Sequence, residues 1–143
     1  MRAKYQILVF PYSLAKDGYY KYALFEREDL GIWQGIAGGG ENGETPLESA
    51  KRETSEEASI PLDADYIELK SVGAIPADSI SAFKGLGLGD IHEYSFGVKA
   101  PSLELVIGHE HTKYGWFTYK EASAKLKWDS NKKALAELNE RLV

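Results

Sequence analysis

The stretch from Gly38 to Ile60, GGGENGETPLESAKRETSEEASI, leads a glycine-rich bend straight into a capped helix, and any fold of this chain has to be built around that junction. Gly38, Gly39, Gly40 and Gly43 read as a loop. Thr45 can cap a helix, Pro46 suits its first position because it has no N–H to lose, and Glu48 can close a capping box. A helix is therefore expected from about Pro46 to Ala58. At about 100° per residue, Leu47, Ala50, Thr54 and Ala58 form one modest apolar stripe, while Glu53, Glu56 and Glu57 crowd on an adjoining, solvent-facing side.

Carboxylates at i, i+3 and i+4 repel one another, by roughly a few tenths of a kcal/mol per pair in an isolated helix. Arg52 offsets only part of that charge. Hard divalent ions take oxygen ligands and share them with phosphates, so this side is a candidate metal shelf beside a glycine bend. The alternative is a solvated acidic helix behind an ordinary flexible loop.

Length and charge narrow the classes. At 143 residues with 43% hydrophobic residues, the chain is expected to fold as a single domain spanning residues 1–143 around a real core. No cysteine occurs, which removes disulfides, thiolate metal sites and cysteine nucleophiles. The net charge of −5 and the lack of a dense basic run argue against nucleic acid as a partner. An acidic protein that handles phosphates must neutralise them locally, and a bound metal does so. The opening MRAKYQILVFPYS ends its apolar run at Pro11 without a cleavage site, so it reads as a strand and not as a signal peptide. No apolar run approaches the roughly 20 residues needed to span a bilayer, and a cytoplasmic location is expected.

Taken in order, Tyr5 to Phe10 and Tyr19 to Glu26 read as a hairpin of strands, the second with Tyr20, Tyr22 and Leu24 alternating. Arg27 is either a phosphate contact or a solvated arginine at a strand end. Ile32 to Ala37 is a short apolar strand whose Trp33 serves the core or stacks on a substrate ring. Tyr66 to Ala77 and Ile91 to Val98 are further strands. The GLGLGD run within Ser79 to Asp90 reads as a mobile hairpin loop, since no helix follows it and its spacing is not that of a dinucleotide loop. His92 and Glu93 read first as a solvated strand pair, with reach to a site as the alternative. His109 and His111 around Glu110 make thin grounds for zinc. Two helices close the chain, Glu121 to Leu126 and about Asn131 to Leu142, the latter capped by Asp129 or Ser130 and striped by Ala134, Leu135, Leu138 and Leu142. The alternation of strands and helices gives an α+β fold or an α/β/α sandwich with a mixed β-sheet.

Gly38, five residues, Glu44, seven residues, Arg52-Glu53, two residues and Glu56-Glu57 fall in one register. That register resembles the signature of the Nudix hydrolases, G-x5-E-x7-R-E-U-x-E-E-x-G-U with U a bulky aliphatic residue. Thr54 and Ser59 depart from it, at an aliphatic and at the second glycine position; Ile60 restores the last aliphatic. The resemblance implies the Nudix fold, a small-molecule phosphoanhydride as substrate, and Mg²⁺, with Mn²⁺ as an alternative ion. It assigns Gly38 (through its carbonyl), Glu53, Glu56 and Glu57 to the metal. Glu110, shortly before the aromatic run Tyr114-Gly115-Trp116-Phe117, joins them as a further ligand or is a surface glutamate. Arg52 would orient a carboxylate and Glu44 would steady the junction through Arg52 or Lys51. The general base is left open among Glu53, Glu93 and Glu110. Ile32-Trp33-Gln34, His109 to Phe117 and Trp128-Asp129-Ser130-Asn131 add a looser resemblance to the bacterial dihydroneopterin triphosphate pyrophosphohydrolases of folate synthesis. This branch yields a monophosphate and pyrophosphate, and the resemblance suggests Trp33, Phe83 and Asn131 for the ring site. The alternatives are a housekeeping (d)NTP pyrophosphatase and a nucleotide-sensing module without catalysis, and a homodimer is left open.

Overall fold

The computed structural model describes residues 2–27, 31–108, 111 and 113–143. Its elements follow as β1 (Arg2–Leu14), β2 (Tyr20–Arg27), β3 (Ile32–Gln34), β4 (Ile36–Glu41), α1 (Pro46–Ala58), β5 (Tyr66–Pro76), β6 (Asp90–Lys99), β7 (Lys113–Phe117), α2 (Tyr119–Lys125) and α3 (Asp129–Leu142). They build one mixed sheet in the order β3-β2-β1-β6-β5, with β4 also on β1 and β7 also on β2. β1 and β6 run parallel, and the other pairs are antiparallel.

Alternation along β1 separates two cores. Ile7 and Val9 face α1 and pack with Ala50, Ala58, Phe25, Ile36, Phe96 and Val98. Leu8 and Phe10 face the other way, with Tyr22, Leu24 and the α3 stripe Ala134, Leu135 and Leu138. Each of those leucines, fully buried, contributes about 1.5–3 kcal/mol. Helices thus cover both faces, as the expected α/β/α sandwich requires.

Several boundaries differ from the sequence reading, each for a local reason. β1 does not stop at Pro11 but runs on to Leu14. Pro11 stands where β1 passes from pairing with β4, last at Val9, to pairing with β2, first at Tyr12, so its missing N–H costs no ladder bond there. Gly38, Gly39 and Gly40 are not a loop; they lie in β4, paired with β1. Gly43 alone of that group turns the chain with a positive φ, at +93°. The Ser79 to Asp90 segment is not a simple hairpin loop, since 3₁₀ turns at Ala77–Ser79 and Ser81–Phe83 fold it onto Ile91 and Ile75. α3 starts at Asp129 behind Trp128, which places Asp129 and Ser130 in its first turn and not at its cap. An acidic side chain there still complements the helix dipole.

Candidate active site

The helix start forms as its residues dictate. Thr45 Oγ1 accepts from Glu48 N at 3.2 Å and Glu48 Oε1 from Thr45 N at 2.9 Å, which fixes the direction of α1 relative to β4. Eight residues after Glu44 the chain has made two turns, and Arg52 reaches back to it. Arg52 Nε donates to Glu44 Oε2 at 2.8 Å and Nη2 to Glu44 Oε1 at 3.1 Å, a bidentate pair. The same guanidinium donates to Glu53 Oε1 at 3.0 Å and to the Gly39 carbonyl at 2.9 Å, and stands 3.5 Å from Glu56. Glu44 also accepts from Ser49 Oγ at 2.8 Å and from Glu41 N at 2.9 Å, and Tyr5 Oη holds both Ser49 and the Glu44 carbonyl. The Arg52 hydrogen bonds hold the Glu44 carboxyl down at about 2, and Glu44 in turn pushes the Arg52 guanidinium further up. Glu44 therefore works through Arg52, while Lys51 instead lies over the Tyr66 ring.

Glycines make room for this cluster. A Cβ on Gly38 would stand 2.5 Å from the Glu53 carboxyl carbon, and one on Gly39 or Gly40 would collide with the side chain of Arg2 or Tyr5. The bare strand borders a cavity of about 630 Å³ lined by Arg2, Gln6, Arg27, Arg52, Glu53, the glycines and residues 79–81. Gly38 is in register with Ile7 on the α1 face, and Gly39 with Gln6 on the α3 face. The cavity consequently wraps around the edge of β4 and touches both sides of the sheet. Three guanidinium groups around one opening suit an anionic chain such as a polyphosphate.

The acidic residues do not share one environment. Glu53 lines the cavity, Glu56 is more than half exposed beside Arg52, and Glu57 is buried, with Oε2 3.4 Å from His111 Nδ1. The sequence reading of a common solvent-facing side therefore fails at Glu57, because residues 103–108 strap across the end of α1: Gly108 N donates to Glu57 O at 2.9 Å, and a Cβ on Gly108 would come within 2.9 Å of the carboxylate. Glu110 lies outside the described residues. Among the described residues no three acidic or histidine side chains converge as a ready-made cage. Mg²⁺ does not need one, since it binds through one or two carboxylates, water and substrate phosphates. The hard oxygens of Glu53, which lines the arginine-bordered cavity, and of Glu56, one helical turn away beside Arg52, fit that mode.

The residues expected at the ring site are spread out. Trp33 packs edge-on to Phe117 with centroids 5.5 Å apart, between Lys113 and Lys125 and away from the cavity. Phe83 is buried against Ile91 and Ala77, its ring covered by Arg2 at 5.1 Å. Asn131 is buried in the first turn of α3, and Arg27 lines the cavity. Glu93 is not solvated: it is 7% exposed, and burial pushes its carboxyl up to about 7. Sequence reasoning missed Tyr5, Ser49, Arg2 and Gln6. Only Arg2, in the basic tip of the chain, carried any signal.

The family profile described as NUDIX domain matches residues 17–138. Dihydroneopterin triphosphate diphosphatase of Escherichia coli K12 is 29% identical over 120 residues, which are 80% of this chain and 79% of that protein. In structure the chain is similar to a NUDIX hydrolase from Listeria monocytogenes, with 36% identity, a TM-score of 0.89 and coverage of 98% and 94% of the two chains. The E. coli dihydroneopterin triphosphate pyrophosphohydrolase superposes with a TM-score of 0.82 at 24% identity, covering 98% of this chain and 97% of the other, a likeness of fold.

Proposed function

Because this chain belongs to the NUDIX domain family, whose members named above are diphosphatases and pyrophosphohydrolases, we propose that it is a Mg²⁺-dependent pyrophosphohydrolase. It cleaves a nucleoside-triphosphate-like substrate to a monophosphate and pyrophosphate, and dihydroneopterin triphosphate is the leading candidate. The observation that carries this reading is the Arg52 hub, which fixes Glu44 on one side and aims Glu53 across Gly38 at an arginine-lined cavity.

In this reading Arg2 and Arg27 hold the phosphate chain along the bare edge of β4, where no side chain at Gly38 to Gly40 obstructs it. Arg52, already committed to Glu44, Glu53 and the Gly39 carbonyl, is a positioning residue. Glu53 takes the proton of the attacking water, and pyrophosphate leaves as the phosphorus–oxygen bridge breaks. Mg²⁺, when bound through Glu53 and Glu56 with Glu57 and Glu110 as further ligands, supplies Lewis-acid polarisation of the phosphoryl group and screens charge on the leaving oxygen. In this reading Glu53 is taken in preference to Glu93 as the base, since Glu53 lines the cavity and Glu93 lies beyond Gln6 on the α3 face. The site lies within a single cytoplasmic domain.

Product analysis after incubation with Mg²⁺ and a panel of triphosphates tests the assignment. Release of pyrophosphate, with dihydroneopterin triphosphate the best substrate by kcat/KM, is expected. A strong preference for dATP or an oxidised nucleotide would replace the substrate but keep the reaction, and binding without turnover would make the protein a sensing module.

A further inference from the structure

Glu93 is the one buried acid among the described residues whose neighbours explain nothing about it. It sits on β6, in register with Gln6 of β1 and Gly73 of β5, on the face covered by α3. Although it is 7% exposed, no described group hydrogen-bonds or ion-pairs with its carboxyl, and desolvation alone pushes the group up to about 7. A carboxylate at that burial without a partner is costly.

Its surroundings point to a ligand. Gln6 lines the cavity one strand away. Ile91, two residues earlier on the same face, belongs to the cluster on which Ile80 packs, and Ile80 lines the cavity. A Cβ on Gly73 would stand 3.1 Å from Ser130 Cβ and 3.5 Å from Glu93 Oε1, so the start of α3 and the carboxyl meet over a bare strand position. Asn131, next along, is buried as well.

We propose that Glu93 determines specificity by accepting two hydrogen bonds from the 2-amino-4-oxopyrimidine edge of a bound heterocycle, the edge that pterins and guanine present. The proposal rests on the triphosphate hydrolase reading above. Two parallel N–H donors, the ring N–H and the exocyclic amine, match the two oxygens of a carboxylate and restore the partners that burial removed. An adenine edge offers one donor and one acceptor, and its acceptor nitrogen would face a carboxylate oxygen. Glu53 lines the cavity from the α1 side of the β4 edge, and Arg2 lines it beside Gln6 on the α3 side, so phosphates held along this edge leave the ring directed past Gln6 towards Glu93.

The test compares kcat/KM for dihydroneopterin triphosphate, dGTP and dATP in wild type, Glu93→Gln and Glu93→Asp. Wild type is expected to favour both 2-amino-4-oxo substrates over dATP. Glu93→Gln should cut that preference roughly tenfold to hundredfold, since an amide sets one N–H against the ring donors, and Glu93→Asp should restore part of it. Thermal unfolding at pH 8 shows whether Glu93→Gln is folded, and a melting temperature at or above wild type is expected. An unchanged preference in Glu93→Gln, an equal loss on all three substrates, or a wild type that favours dATP overturns the role of Glu93 and leaves the hydrolase reading intact. Failure of wild type to hydrolyse any of the three overturns that reading, and this one with it.

Discussion

Arg52 shows how much a single guanidinium can organise. Its five N–H donors reach two carboxylates and a carbonyl in fixed directions, which an ammonium cannot reproduce. Arg52→Lys should therefore behave as a loss and not as a conservative change: kcat is expected to fall about a hundredfold as Glu53 loses its aim, KM to move far less, and steady-state kinetics separates the two. Glu93 gives the pH dependence. Its pKa is about 7 folded against 4.5 for an ordinary glutamate, so between those values the unfolded chain ionises while the folded one stays protonated. The sign is therefore negative: Glu93's contribution is fully present below about pH 4.5 and is lost as pH rises through 7, by about 3 kcal/mol in all. Glu93→Gln should remove that decline, and denaturant unfolding at a series of pH values checks it. The spacing of Glu44, Arg52 and Glu53 was legible in the sequence because two helical turns convert a register of eight and nine residues into contact. Glu93 was not, because alternation along IHEYSFGV assigns it a face without saying that α3 and the turns at 77–83 cover that face.

At the scale of elements, the junction of β4 with α1 carries most of the chemistry, and its glycines are there for clearance more than for bending. Composition alone reads Gly38 to Gly40 as a loop, since glycine is poor in strands; the pairing with β1 and the crowding by Glu53, Arg2 and Tyr5 decide otherwise. Gly38→Ala should lower kcat at least tenfold, because its methyl group would occupy the position of the Glu53 carboxyl, while the helix and the remote cores keep their circular dichroism. The other end of α1 explains a departure from the family signature. Ser59 caps the helix at φ 56°, a left-handed position that glycine adopts without strain, and holds it with a hydrogen bond of 3.1 Å from its hydroxyl to the Val106 carbonyl. Relief of strain of about 1 kcal/mol outweighs one exposed hydrogen bond, so Ser59→Gly should raise stability by about 0.5 kcal/mol in denaturant unfolding. The capping box, the apolar stripe and the stop of α1 were all readable. The strap of residues 103–108 that buries Glu57 was not, because a loop's path depends on what it covers.

For the molecule as a whole, the sheet acts as a partition bordered by a cavity at the glycine edge of β4, where three arginines gather around carboxylates that are themselves held by Arg52. Among the described residues the site converges too few carboxylates to hold a divalent ion tightly alone, and Glu41 and Glu53 offset part of the arginine charge that would hold a polyphosphate, so each ligand should complete the site for the other. Thermal unfolding reads this directly. Mg²⁺ alone at millimolar concentration should shift the melting temperature by less than about 1 °C, and a non-hydrolysable triphosphate analogue alone by about as little. Together, at about a hundred times the dissociation constant, they should add about 2.7 kcal/mol and raise the midpoint by about 5–10 °C. Glu53→Gln should abolish most of that synergy while leaving the ligand-free midpoint within about 2 °C, because Glu53 is at the cavity rim and outside both cores. Simple additivity of the two shifts would mean that metal and phosphate bind apart, and the cavity around β4 would then lose its place as the site where they meet.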